Sequence, residues 1–435
     1  MKKIHITSLG CAKNLVDSEV LGGQLKRRDY TLTTNPSDAE LIIVNTCGFI
    51  DEAKKESIQA IFEAIEYKNE DKGKQVFVTG CLSQRYKEEL AAEIPAIDAI
   101  FGTEDYEQIL NRLGENNFHA EEMYKMRDLT TPRHFAYLKI SEGCNHTCAF
   151  CAIPNIRGEH RSRKIEDILA EAKILADQGV KELILVSQDT SHYGKDRYGK
   201  SMIVDLLSKI AAEDMFTWIR PLYWYPSNFP KEFIHLMNTY NTIVPYLDMP
   251  IQHASDRVLG LMRRAEKKEK LVWLYKQIKE IRSDIALRTT FIVGHPGETK
   301  DDFEQLKEFI EMVRFDRLGA FVYSDEEGTG AFDLNDKVDK ETAQKRHAEL
   351  MMIQTQISNE KNNTLLGTVQ KILIDGYDQS QKYYHGRTYR DAPEIDNEVI
   401  ISDPDFKEKM IGSFIQVHIT DVSEYELYGN FNVNL

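Results

Sequence analysis

Ten residues constrain this chain more than any others: Glu142-Gly143-Cys144-Asn145-His146-Thr147-Cys148-Ala149-Phe150-Cys151. Three cysteines stand there in a C-x3-C-x2-C spacing, directly after an extended run from Phe135 to Ile140. Thiolates this close converge on one metal centre. Structural zinc takes four protein ligands, and an ordinary 4Fe–4S cluster takes four cysteines. Three cysteines therefore point to an iron–sulfur cubane with one iron left open for a reactant. Structural zinc, completed by His146 or His160, is the alternative that the loop alone leaves standing.

The other three cysteines, Cys11, Cys47 and Cys81, lie upstream in a repeated setting. Lys3–Ser8, Leu41–Asn45 and Gln75–Thr79 read as strands, and Leu15–Arg28, Glu52–Tyr67 and Gln84–Ala92 carry helical spacing. This alternation predicts an open parallel α/β sheet. Each cysteine follows one strand, in Leu9-Gly10-Cys11, Thr46-Cys47-Gly48 and Gly80-Cys81. The topology would gather all three at the carboxyl edge, where open α/β sheets bind ligands. Gly10, Gly48 and Gly80 are expected to leave room for a second cluster near the backbone. Three buried structural cysteines are the bland alternative. The chain shows no secretory pattern, so metal binding is preferred to disulfides and a cytoplasmic location follows. No stretch approaches the length of a membrane span.

At 435 residues, two or three domains are expected. A polar stretch from Asn116 to Arg133 reads as a connection. After it, the strand before the cysteine loop and five more (Leu183–Ser187, Trp218–Tyr223, Tyr246–Met249, Leu287–Val293, Leu318–Tyr323) predict a partial (β/α)6 barrel with its site at the carboxyl ends. Ser187-Gln188-Asp189, Arg220, Gln252-His253 and Gly294 to Glu298 fall near those ends. Each is as consistent with ordinary turn chemistry. Basic clusters at Arg157–Lys164 and Arg263–Lys270 read mostly as solvated faces. A long polar helix, Lys340–Lys361, leads to five short strands between Thr368 and Phe431, a small antiparallel β-barrel. From Leu366 onward, six Lys and Arg face twelve Asp and Glu, a net of −6 in a chain of net −15. A barrel tracking phosphates should be basic; this one suits a basic protein. The expected domains are therefore 1–120, 131–363 and 366–435.

This order of parts resembles the radical S-adenosylmethionine (SAM) methylthiotransferases, whose last domain is called TRAM. Ser8 to Glu19, Asn45 to Ile50, and Glu142 to Gly158 resemble the RimO branch. The resemblance implies an enzyme adding a methylthio group to an aspartate β-carbon of bacterial ribosomal protein S-twelve. It implies that Cys144, Cys148 and Cys151 hold the 4Fe–4S cluster that cleaves SAM to a 5′-deoxyadenosyl radical. Cys11, Cys47 and Cys81 would hold a second 4Fe–4S cluster that presents sulfur. Phe150, Gln188, Arg220 and Gly294 are candidates for the SAM pocket. A low-potential electron donor and a sulfur source are implied partners, and a membrane is not. The rival enzyme acts on a tRNA adenosine, against which the acidic tail and the N-terminal motifs weigh. The rival outside enzymology is a zinc-stabilised ribosome-binding module.

Overall fold

The computed structural model describes residues 2–115, 118, 120–403 and 407–431. Its first sheet holds five parallel strands: β1 (Lys3–Ser8), β2 (Thr31–Leu32), β3 (Leu41–Thr46), β4 (Gln75–Gly80) and β5 (Ala99–Ile100). They lie in the order β2-β1-β3-β4-β5. All six residues of β3 are buried, as its near-continuous apolar run requires. The edge strands β2 and β5 have two residues each, too few to show a period in sequence. The expected helix at Gln84–Ala92 is two, Cys81–Arg85 and Lys87–Glu93, broken at Tyr86 by its φ of −126° and ψ of 38°.

The connection is no loose tether. Asn116, Asn117 and His119 lie outside the described residues, but Arg127 beyond them is buried between Glu19 and Glu171. Glu19 also accepts from the Thr130 backbone N–H at 2.8 Å.

The central domain carries β6 (Phe135–Lys139), β7 (Ser141–Glu142), β8 (Arg161–Ser162), β9 (Glu182–Val186), β10 (Trp218–Pro221), β11 (Tyr246–Asp248), β12 (Ala286–Val293) and β13 (Arg317–Val322). Two parallel sheets, β6-β9-β10 and β11-β12-β13, follow chain order. Ile219 joins them: its N–H donates to Thr242 O at 2.7 Å, and its carbonyl accepts from Val244 N at 3.1 Å. Among the described residues no pairing returns from β13 to β6, so the barrel stays open. The antiparallel pair β7–β8 pinches the base of the cysteine loop.

The helix Lys340–Asn363 runs along β13 to the last five strands: β14 (Val369–Asp378), β15 (Tyr383–Arg387), β16 (Glu398–Ser402), β17 (Phe414–Val422) and β18 (Glu426–Phe431). They close a barrel in the order β14-β15-β16-β18-β17. Four pairings are antiparallel, as expected; β16 and β18 run parallel, because the β17–β18 hairpin brings β18 alongside β16 to close the ring.

This small barrel seals the amino ends of the central strands. Arg387 pairs with Glu182, Arg317 with Asp391, Arg390 with Asp316, and Arg288 with Asp396. At the opposite end the helix Ala12–Lys26 lies between the first sheet and β6. One apolar cluster runs from Val16 and Leu21 through Tyr137, Ile184 and Trp218 to Leu373 and Ala392. The three domains therefore share a core, and their relative positions are fixed by packing. No helix among the described residues is long and apolar enough to cross a membrane.

Candidate metal centres at the seam of two domains

The first trio sits at the carboxyl ends of β1, β3 and β4. Asn14 and Asn45 tie two of these ends together. Asn14 Nδ2 donates to Leu9 O at 2.6 Å, and Asn45 Nδ2 donates to Asn14 O at 2.9 Å. Ser57 holds Cys47 from both sides, accepting from its N–H at 2.9 Å and donating to its carbonyl at 2.7 Å. The glycines act differently from expectation. A Cβ on Gly10 would lie 2.7 Å from the Cys47 Cβ, and one on Gly48 would lie 2.7 Å from the Leu82 Cα. They let the cysteine-bearing turns touch each other, and the place a side chain would take at Gly10 or Gly48 is filled by the neighbouring turn. At Gly10, with φ +87°, the backbone also favours glycine.

The second trio lies on the loop pinched by β7 and β8. Cys144 N–H donates to Gly158 O at 3.1 Å, and Ala149 is held by Met262 O at 2.9 Å and by the Ala331 N–H at 2.7 Å. Tyr225 and Arg264 stand beside Cys148, with the guanidinium 4.3 Å over the Tyr225 ring.

The thiols are tuned by burial and by nearby cations. Burial pushes Cys151 up to about 12 and Cys144 up to about 11. Burial also carries Cys81 up to about 11 against the pull of Arg157, and it raises Cys47. Cys11 moves the other way: burial opposes it, but Lys13 and Arg157 together bring it below its usual value. Binding a metal there must displace protons from most of these sulfurs.

The donor sets fit a polynuclear group better than a single ion. Tetrahedral zinc with Zn–S bonds near 2.3 Å would place its sulfurs about 3.8 Å apart. Among the described residues, one group of three or more His, Cys, Asp or Glu ligand atoms falls within 4.8 Å, and it is His146, Asp189 and His192. Each cysteine trio is spread wider than that. The proposed fourth zinc ligands are engaged elsewhere: His146 Nε2 bonds Asp189 Oδ2 at 2.7 Å with its ring stacked on Tyr225, and His160 Nε2 bonds Ser162 Oγ at 3.0 Å.

A buried ionic bridge links the two trios. Arg157 donates to Asp17 at 2.8 Å, to Glu142 at 3.0 Å and to the Cys81 sulfur at 3.4 Å. Lys139 pairs with the same two carboxylates. Glu142 is carried down to about 2, because Lys139 and Arg157 overcome its burial. Cys81 packs directly on Ala152 and Ile156, just past Cys151.

The remaining candidates divide. Gln188 stands at the mouth, its amide donating to Glu142 at 2.6 Å and its buried Oε1 without a hydrogen-bond partner among the described residues. Phe150 is half-buried on the loop. Gly294 has φ +76° and backs onto Ala343 of the long helix. Arg220 is a correction. It is fully buried near the barrel floor, donating to Glu182 at 2.7 Å and to Tyr389 O at 2.8 Å, and it does not reach the cysteine edge. The first basic cluster divides: Arg157 and His160 are buried, whereas Arg161 and Lys164 are exposed. Sequence reasoning missed Lys13, Asp17, Lys139, Tyr225 and the role of Arg264. Lys139 alone carried a signal, a charge closing an otherwise apolar strand just before the cysteine loop.

Residues 3–102 match the family described as uncharacterized protein family UPF0004, residues 138–310 the radical SAM superfamily, and residues 366–431 the TRAM domain. The chain is similar to a protein of Aquifex aeolicus named ribosomal protein uS12 methylthiotransferase RimO, at 49% identity over 98% of this chain and 96% of that one. A protein of the same name from Clostridioides difficile is 46% identical over 99% of each. Among solved structures, the radical SAM methyltransferase TsrM of Kitasatospora setae, with cobalamin and a 4Fe–4S cluster bound, aligns with a TM-score of 0.54 at 12% identity, covering 74% of this chain and 75% of that one. That likeness establishes the fold alone. The near full-length identity establishes more: the chain belongs to the RimO family of the radical SAM superfamily.

Proposed function

We propose that this protein is a radical SAM methylthiotransferase that adds a methylthio group to the β-carbon of an aspartyl residue in ribosomal protein uS12. The observation that carries the reading is the meeting of two strand-end edges, with Cys81 seated on the helix that follows Cys151. An unactivated C–H bond offers a base no acidic proton, so acid–base chemistry has nothing to act on. When bound, one 4Fe–4S cluster with SAM would supply hydrogen-atom abstraction and a methyl group, and a second would supply sulfur.

The chain's own residues do the holding and positioning. Cys144, Cys148 and Cys151 would grip the first cluster, with Tyr225 and Arg264 beside Cys148. Cys11, Cys47 and Cys81 would grip the second, with Arg157 donating to Cys81. Gln188, Phe150 and Gly294 lie on the loop and strand ends where SAM would sit. The Asp17–Lys139–Glu142–Arg157 bridge fixes one site against the other. A low-potential reductant and a sulfur donor complete the system, and the reducing cytoplasm suits free thiols. The acidic C-terminal barrel favours a basic protein over RNA, although Asp391 and Asp396 serve the barrel floor.

The test is an anaerobic incubation with purified uS12 and, separately, with tRNA. A mass gain of one methylthio group on an aspartyl residue of uS12 is expected. A gain on tRNA with uS12 unchanged would overturn the reading.

A further inference from the structure

Lys13 stands two positions beyond Cys11, in the first turn of the helix Ala12–Lys26. It is only 8% exposed. Its Nζ nevertheless makes one long hydrogen bond, 3.4 Å to the Ser187 carbonyl, and lies 3.8 Å over the Tyr223 ring. Among the described residues no carboxylate comes within 4.0 Å of it. Other buried cations are better served. Arg157 has two carboxylates at 2.8 and 3.0 Å, Arg220 has one at 2.7 Å, and Lys74 has two carbonyls at 2.6 and 2.7 Å. The acidic groups that face this ammonium are the Tyr223 hydroxyl and the Cys11 thiol, and neither is a carboxylate; buried cations are ordinarily paired with one.

The place is as informative as the missing partner. Ser187 follows β9 and Tyr223 follows β10, both at the barrel mouth. Cys11 belongs to the other domain. Nζ therefore lies on the seam between the two cysteine sites. Tyr223 is held there with φ +62°, a strained conformation for a bulky residue, by its N–H to Asp248 Oδ2 at 3.0 Å and its carbonyl from the Thr190 N–H at 3.0 Å. Those two bonds hold the ring beneath the ammonium.

We propose that Lys13 receives the side-chain carboxylate of the substrate aspartate. The inference rests on the uS12 reading above and names the contact that selects the residue. The carboxyl carbon of aspartate is bonded directly to its β-carbon. Pinning the carboxylate at Nζ fixes the carbon to be modified between the two cysteine sites. A carboxylate for Lys13 then arrives with the substrate, and Tyr223 backs the ammonium from the far side.

The test uses the full chain, anaerobically reconstituted and without reductant, as wild type, Lys13→Met and Lys13→Arg. The probes are uS12 and uS12 carrying Asn at the aspartate that wild-type enzyme modifies. Binding is followed by calorimetry, and iron is measured on every sample. Lys13→Met should keep wild-type iron and bind uS12 about thirtyfold more weakly, the scale of losing one partner of a buried charge pair. Lys13→Arg should recover most of that loss, and the Asn probe should bind wild type and Lys13→Met alike. Equal binding of uS12 by wild type and Lys13→Met would overturn the proposal. So would a loss of iron in Lys13→Met, which would assign the cation to the cluster, or an equal loss of affinity for both probes. If wild-type enzyme fails to modify uS12 at all, the functional reading itself fails, and this contact fails with it.

Discussion

Cys144, Cys148 and Cys151 lie within eight residues on one loop, whereas Cys11, Cys47 and Cys81 come from three strand ends spread over seventy-one residues. The loop trio is contiguous in sequence and is placed by a two-residue strand pair at its base, by the Cys144–Gly158 backbone bond and by backbone bonds from Ala149 to Met262 and Ala331. The dispersed trio is placed by sheet register, by the side-chain ties of Asn14, Asn45 and Ser57, and by packing against the barrel. A local site survives as long as its loop does. A dispersed site is only as good as the fold that assembles it, and here that fold includes a neighbouring domain. On the proposed function, this difference would separate radical generation from sulfur delivery.

The largest expected effect breaks that comparison at its chemistry. Replacing Cys144, Cys148 or Cys151 by Ala should abolish both SAM cleavage and methylthiolation. Replacing Cys11, Cys47 or Cys81 by Ala should end methylthiolation while SAM cleavage continues uncoupled. Chromatography of 5′-deoxyadenosine beside mass spectrometry of uS12 reads both; methylthiolation surviving the loss of Cys47 would contradict the division of labour.

A smaller effect sharpens the comparison at the seam. Asp17→Ala leaves Arg157 and Lys139 sharing the single carboxylate of Glu142. Removing one partner of a buried ionic group costs about 3–5 kcal/mol. Anaerobic denaturant titration should show that loss, and the dispersed trio should lose iron before the loop trio does. Loss from the loop trio first would mean that the seam does not position the first sheet.

A third effect, read on pH and leaving both trios untouched, lies where β11 and β12 end. His253 is buried and neutral, brought down to about 3 by burial, and its Nδ1 accepts the Ser255 N–H at 3.0 Å. His295 is brought down to about 4, again by burial. The unfolded chain takes up these protons near pH 6.5 and the folded chain does not, so stability is fully present above that pH. It should fall as pH drops from 6.5 towards 4, by about 1.4 kcal/mol per histidine per pH unit. Thermal melts across this window, compared with His253→Asn, should show a shallower slope in the variant.

Much of this design is visible in the chain before folding. The loop trio is legible because its spacing is local, and the dispersed trio because strand–helix alternation places strand ends on one edge. The ionic bridge is not, because Asp17, Lys139, Glu142 and Arg157 come from separate elements and meet only when two domains dock. Arg157 reads as part of a surface run for the same reason. Arg220 misleads because β10 has only four residues, and position in so short a strand does not tell mouth from floor. The floor itself, an acidic and basic belt from Arg387 to Asp396 against the central strands, could not be read from either domain alone.

Iron analysis tests the central claim most directly, on wild type and on two triple Cys→Ala variants, one for each trio. The account predicts about eight irons per wild-type chain and about four in each variant. Four in the wild type, or eight retained after removal of Cys11, Cys47 and Cys81, would contradict it.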